Sequence, residues 1–144
     1  MEFKAIVVDI DGTITYSDRS IDCRAVEALR SVKVPVVIAT GNVLCFARAA
    51  SKLVGTGGLI VAENGGVVEC GTVESDTSHM KMCEEAFDHL NRHFPLELLK
   101  ASGFGVAVGN AHPDVKKAAN MVTKGEHGAG VAEAIQYISG KTAI

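Results

Sequence analysis

The chain has 144 residues, 47% of them apolar, enough for one domain with a sizeable core. A net charge of −3, 5% aromatic residues and no Trp exclude the basic, aromatic footprint of a nucleic-acid binder, and no apolar run nears the roughly 18 residues of a membrane span. Cys23, Cys45, Cys70 and Cys83 lack CxxC spacing and companion histidines, and no basic and apolar leader precedes the first strand; both features predict a soluble cytoplasmic protein whose cysteines are reduced and half-buried.

The first predicted strand, Ala5 to Val8, is an unbroken apolar run, as in a strand buried on both faces of a parallel sheet. It stops at Asp9, and alternation sends Asp9 and Asp11 to the same side, where both can address one cation or one phosphate; Gly12 then turns the backbone. The competing reading is a solvated turn in which an Asp caps the next element. Thr13 to Ser20 is polar and reads as a mobile flap. Ser20 or Asp22 caps a helix to about Val32, with Ile21, Ala25, Leu29 and Val32 on one face.

Pro35 opens a second strand, Val36 to Ala39, ending at Thr40-Gly41-Asn42, and a second helix places Val43, Phe46, Ala47, Ala50, Leu53 and Val54 at helical spacing. Thr40 offers a hydroxyl at a strand's carboxyl end, Gly41 lets a ligand approach the backbone, and free N–H groups at the helix start favour an anion. Asn42 reads equally as an ordinary N-cap. Gly58 to Ala62 is a third strand; Glu63-Asn64-Gly65-Gly66 leads to a hairpin within residues 64–74, with Val67-Val68 against Thr72-Val73. Residues 75–100 read as a helical connection in which Ser75 to Phe94 is one helix, and its i,i+4 pair His89 and His93, without a third ligand in sight, reads as a polar face.

Phe104 to Val108 is the last predicted strand. In the following Gly109-Asn110-Ala111-His112-Pro113-Asp114, Asn110 and Asp114 can offer oxygen ligands to a hard cation. Alternatively Asn110 makes a turn and Pro113-Asp114 starts a helix that turns Val115, Ala118, Ala119 and Val122 inward. A final helix buries Val131, Ala134, Ile135 and Ile138.

Taken in order, DxDGT, ATGN, ENGG and GNAHPD make the chain resemble the haloacid dehalogenase-like phosphatases, and among them the archaeal phosphoglycolate phosphatase group, whose opening is similar to DIDGTITYSDRSI. The resemblance covers about residues 1–94 and 96–139. Near Pro95 it breaks where relatives carry a cap domain, a Lys at a helix start and a strand ending in GDxxND. It implies one α/β domain over residues 1–144: a Rossmann-like three-layer αβα core with a short parallel sheet, a β-hairpin after the third strand and the cap largely missing.

The resemblance further implies Mg²⁺-dependent hydrolysis of a small phosphorylated acid, phosphoglycolate first. Asp9 would attack phosphorus, Asp11 would shuttle the proton, and Thr40, Gly41 and Asn42 would grip the phosphate. Mg²⁺ would sit on Asp9, Asp11, Asn110 and Asp114. Lys81 can stand in for the missing lysine, or is a solvated helix residue. A capless site is open to water, and a neighbouring subunit covering it implies a homo-oligomer. With the acidic-motif strand missing, the expectation is that Phe104–Val108 moves inward to pair with Ala5–Val8, giving the sheet order 3-2-1-4 with Ser78 to Phe94 as crossover helix. The rival function is a remnant that binds Mg²⁺ or phosphate without turnover.

Overall fold

A computed structural model describes residues 3–70, 72–75, 96 and 98–141. In chain order the elements are β1 (Ile6–Asp9), α1 (Cys23–Ser31), β2 (Val36–Ala39), α2 (Leu44–Val54), β3 (Leu59–Ala62), a 3₁₀ turn (Glu63–Gly65), β4 (Val67–Cys70), β5 (Thr72–Ser75), β6 (Val106–Ala107), α3 (Pro113–Ala118), β7 (Met121–Val122) and α4 (His127–Lys141). The result is an α/β fold on a five-stranded sheet of order β1-β2-β3-β4-β5, beside a two-stranded sheet of β6 and β7. β1, β2 and β3 are parallel, with Asp9 opposite Ala39, so the polar residues after β1 and β2 emerge at one edge of the sheet. β4 and β5 continue it as an antiparallel hairpin whose tight turn sets Val67 and Val68 opposite Ser75 and Glu74, not opposite Thr72 and Val73 as expected.

Local chemistry sets the element ends. Asp22 caps α1 by accepting from the Arg24 N–H at 3.0 Å, satisfying one of the unpaired amides of the first turn. α2 stops at Gly55, whose φ of 82° suits a residue without Cβ. The Arg30 guanidinium donates to the Val54 and Leu53 carbonyls at 2.8 and 3.0 Å, tying α1 to the negative end of α2. The core joins Val8, Ile10 and Ile14 around β1 to Ile38 of β2, Ala25 and Leu29 of α1, and Val131 and Ile135 of α4. At roughly 25 cal/mol per Å² this apolar burial is the main favourable term holding the layers.

The structure corrects several expectations. Phe104–Val108 does not move in to pair with β1: among the described residues β6 pairs in parallel with β7, and β1 pairs with β2. The reason is a closer partner, since Asn120 and Met121 both donate to the Gly105 carbonyl and Asn120 Oδ1 accepts the Gly105 N–H at 2.7 Å. The helix expected to carry Val122 inward ends at Ala118, and Val122, in β7, is 45% exposed. α2 buries its small residues Ala47, Ala50 and Ser51 together with Val54, leaving Val43, Phe46 and Leu53 exposed, because it packs closely on β3. Thr13–Ser20 is not a loose flap: Ile14 and Thr15 are buried, and Thr15 bridges Ile21. Cys23, Cys45 and Cys70 are free as expected but exposed, because each sits at or near an element end. Cys83, Lys81, His89 and His93, and the expected helix around them, lie outside the described residues.

The start of α4 is packed with almost no tolerance. A Cβ at Gly130 would stand 2.5 Å from the Gly125 carbonyl oxygen and 2.6 Å from Thr123 Oγ1, whereas one at Gly140 would meet nothing within 4 Å. Gly130→Ala should therefore destabilise the fold by about 1–3 kcal/mol through overpacking. Gly140→Ala should stabilise it by about 0.5–1 kcal/mol through helix propensity, and urea denaturation of both variants measures the contrast.

Candidate active site

The loop after β1 is wound around one carbonyl. Ile10 O accepts from the N–H groups of Thr13, Ile14 and Thr15 at 3.0–3.2 Å, a tight turn that Gly12, at φ 72°, allows. This turn brings the Thr13 hydroxyl to Asp9 Oδ2, donating at 3.0 Å. Asp9 is partly buried, and burial pushes its carboxyl up to about 6, with the neighbouring Asp11 adding to the rise against the Thr13 and Ile10 hydrogen bonds. Asp11 is exposed at the same strand end.

The loop after β2 meets this pair through Asn42. Its Nδ2 donates to Asp11 Oδ2 and, at 3.0 Å, to Thr40 Oγ1, which also accepts the Asn42 N–H at 3.1 Å. Thr40 is wholly buried beneath this amide. Asn42 is thus a bridge between the two strand ends and not the cap of α2; Val43 holds the N-cap position without a side-chain bond. The turn after β3 braces the loop from behind, for Glu63 N donates to Asn42 O at 3.0 Å and Asn64 N to Thr40 O at 3.3 Å. Glu63 Oε1 also accepts the Leu44 N–H at 3.3 Å, supplying from another element the missing cap of α2. Both Glu63 and Asn64 hold a φ of 54°, a left-handed conformation costly for residues with a Cβ.

The third side comes from the segment after β6. Asn110 Nδ2 donates to Gly12 O and its Oδ1 accepts the His127 N–H, both at 2.7 Å. The His127 ring Nδ1 lies 3.0 Å from the same Gly12 oxygen. Asn110 therefore occupies its amide with the two loops it joins. Asp114 is exposed on the first turn of α3, its carboxylate near Lys117 Nζ at 3.6 Å and His112 Nδ1 at 3.5 Å. Asp9, Asp11, Asn110 and Asp114 all border one groove, which Thr40, Gly41 and Asn42 do not line. Asp9 and Asp11 are the oxygen donors that suit a hard divalent cation, which takes one or two carboxylates and completes its shell with water and phosphate oxygens. A buried, destabilised carboxylate such as Asp9 is relieved by such a cation. Among the described residues no three His, Cys, Asp or Glu side chains group to hold a metal. Thr13, His127 and Glu63 were not assigned to the site from sequence; only the four-residue spacing of Thr13 from Asp9 carried a local signal.

A family model described as haloacid dehalogenase-like hydrolase matches residues 6–94 and 96–135. The phosphoglycolate phosphatase of Methanosarcina mazei is 31% identical over 223 aligned residues, taking in 96% of this chain and 97% of the relative. That of Archaeoglobus fulgidus is 52% identical over 98 residues, 67% of this chain and 44% of the relative. Among solved structures, Thermoplasma acidophilum 0175 superposes with a TM-score of 0.79 at 14% identity, covering 96% of this chain and 99% of that one. The 3-deoxy-D-manno-octulosonate 8-phosphate phosphatase of Moraxella catarrhalis, solved with magnesium and phosphate, superposes at 0.62 with 16% identity, covering 95% of this chain and 86% of that one. These structural likenesses show the fold.

Asp9 generates a pH dependence whose sign is opposite to that of an ion-paired carboxylate. Its folded value of about 6 lies above the unfolded 3.8, so the folded chain holds the extra proton and stability falls as pH rises from about 4 to about 6. In chelator-containing buffer, Asp9→Asn should abolish this decline and exceed the wild type by about 1–3 kcal/mol above pH 7. Urea denaturation at pH 5 and pH 7.5 reads the difference.

Proposed function

Because the chain belongs to the haloacid dehalogenase-like hydrolases, we propose that it is a phosphatase that hydrolyses a small phosphomonoester through Asp9. The observation that carries this reading is the meeting of two strand ends: Asp9 and Asp11 at the end of β1, joined through Asn42 to the Thr40-Gly41-Asn42 loop at the end of β2.

In the proposed reaction the Asp9 carboxylate attacks phosphorus in line, the bond from phosphorus to the ester oxygen breaks, and Asp11 gives its proton to the leaving alkoxide. Asp11, now ionised, takes a proton from the water that cleaves the resulting aspartyl-phosphate, which restores both carboxyl groups. The Thr13 hydroxyl holds one Asp9 oxygen and so leaves the other aimed at substrate. Phosphate oxygens are received by the Gly41 N–H, while Asn42, bonded to Asp11 and Thr40, holds the Thr40-Gly41-Asn42 loop in place. A magnesium ion held by Asp9 and Asp11, with Asp114 at the same groove, would neutralise phosphate charge. Asn110 serves by holding the loop of Gly12.

The names of the relatives favour phosphoglycolate as the first substrate to try. We read the enzyme as a cytoplasmic homo-oligomer, with Lys81 the candidate ammonium toward the phosphate. A second reading, a domain that binds Mg²⁺ or phosphate without turnover, is favoured by the lack of a third metal-ligating side chain beside Asp9 and Asp11 among the described residues.

Phosphate release from phosphoglycolate and from an aryl phosphate, with and without Mg²⁺, tests the proposal. Release should require Mg²⁺ and fall by about a thousandfold or more in Asp9→Asn, the scale expected for losing a nucleophile. Release no greater than that of the variant, with phosphate still bound by calorimetry, would select the second reading.

A further inference from the structure

The residue that opens α4 is a histidine where the backbone favours glycine. His127 has a φ of 48°, in the left-handed region that is costly for a residue with a Cβ, and Gly125, Gly128 and Gly130 stand around it. Its N–H reaches Asn110 Oδ1 at 2.7 Å, a bond that a glycine would make equally well. What a histidine adds at this position is the ring.

The ring is held on two sides. Its Nδ1 lies 3.0 Å from Gly12 O, and it packs against the Tyr16 ring with 5.4 Å between centroids and 57° between planes. The Tyr16 hydroxyl accepts from Arg24 Nη2 at 3.0 Å, and that guanidinium is paired at 2.6 Å with Asp22, buried at the start of α1. Because a carbonyl oxygen only accepts, Nδ1 carries the hydrogen in the contact with Gly12. The contact thus selects the Nδ1–H tautomer and leaves the Nε2 lone pair outside the bond.

Gly12 connects this ring to the carboxylates. The Asp11–Gly12 peptide is pinned through the Gly12 N–H, which donates to Thr15 Oγ1 at 3.2 Å. The Gly12–Thr13 peptide is pinned at both ends: Thr13 N–H donates to Ile10 O at 3.1 Å, and Gly12 O accepts from Asn110 Nδ2 at 2.7 Å and from His127. A peptide unit is planar, so fixing its oxygen fixes the nitrogen of Thr13 as well. Thr13 in turn holds Asp9 Oδ2 through its hydroxyl at 3.0 Å, while Asp11 leaves the chain on the other side of Gly12. A glycine at φ 72° does not set its own direction, so the direction comes from the groups bonded to it. His127 does not border the groove, and its bond to Gly12 is its route to the site.

We propose that His127 is a positioning residue for the phosphatase site: its Nδ1–H, together with the Asn110 amide, fixes the Gly12 carbonyl and so aims Asp11 and the Thr13 hydroxyl. The catalytic consequence rests on the reading of Asp9 and Asp11 as nucleophile and proton carrier, whereas the hold on the loop is a property of the chain without substrate.

Two variants of the full chain separate the backbone, the ring and the donor. His127→Gly keeps the left-handed backbone and the N–H to Asn110 and removes the ring. His127→Asn tolerates the same backbone and places Nδ2 where the imidazole carries Nδ1, since both atoms are bonded to Cγ. Nitrogen NMR of the wild-type ring at pH 8, where a free imidazole is neutral, should show the hydrogen on Nδ1. Amide exchange at Gly12 and Thr13 should quicken by about tenfold in His127→Gly and return to within about threefold of the wild type in His127→Asn, with Ile38 of β2 unchanged in both. In Mg²⁺-dependent phosphate release, kcat should fall by about tenfold in His127→Gly with KM within about twofold, and recover in His127→Asn. A ring hydrogen on Nε2, unchanged exchange at Gly12 and Thr13 in His127→Gly, equal losses in the two variants, or an equal rise in exchange at Ile38 would each overturn the proposal. So would an unaltered kcat in His127→Gly. A wild type that releases no phosphate overturns the phosphatase reading, and the ring tautomer and the exchange at Gly12 and Thr13 then decide whether His127 positions the loop.

Discussion

Asn110 donates to the carbonyl of Gly12 and accepts the N–H of His127, and the His127 ring reaches the same carbonyl. These bonds join the loop after β1, the loop after β6 and the start of α4. Each such bond is worth only about 1 kcal/mol net, but among the described residues no ladder connects the two sheets, so the junction and the packing of α1 on α4 help to decide how they stand. Gly12 is positioned by this demand as well as by its own turn: the left-handed backbone presents its carbonyl to Asn110 while the preceding residues deliver Asp11. The placement of Asp114 relative to Asp9 and Asp11 thus depends on this junction together with the shared core.

The electrostatics of the site follow from the same geometry. β1 buries its last residue partly, and burial, more than the second carboxylate, makes the ionised form of Asp9 unfavourable. Asp11 remains exposed with the Asn42 amide as a neutral partner. Two carboxyl groups on one strand end are thereby given different environments, a buried one held by a hydroxyl and an open one held by an amide.

Much of this was legible in the sequence because the signals are local. Apolar runs ending at Asp9, Thr40 and Glu63 gave the three parallel strands, and Asp22 gave the start of α1 through its own side chain. The inward face of α4 followed from its 3.6-residue period. What escaped depends on long-range partners. A two-residue strand such as β7 has no period to read, and the choice of β6 between β1 and β7 is made by Asn120 and Met121, which no local pattern links to Gly105. Val43, Phe46 and Leu53 fit a helical stripe, but the face that α2 buries carries Ala47, Ala50, Ser51 and Val54 instead. The site was found through Asp9, Asp11 and Thr40, whereas the roles of Glu63 and His127 arise from elements far away in sequence.

The paired left-handed residues Glu63 and Asn64 are at once the brace of the Thr40-Gly41-Asn42 loop and the root from which the β4–β5 hairpin projects. The hairpin is tied along its length by the β3–β4 ladder and the Arg48–Glu69 ion pair, and at its root it is bonded to the backbone of the loop. One path from the hairpin into the site therefore runs through this root to Asn42 and, through its amide, to Asp11. The strained pair supplies the stiffness of that linkage, since it sits in a narrow left-handed well with little room to rotate.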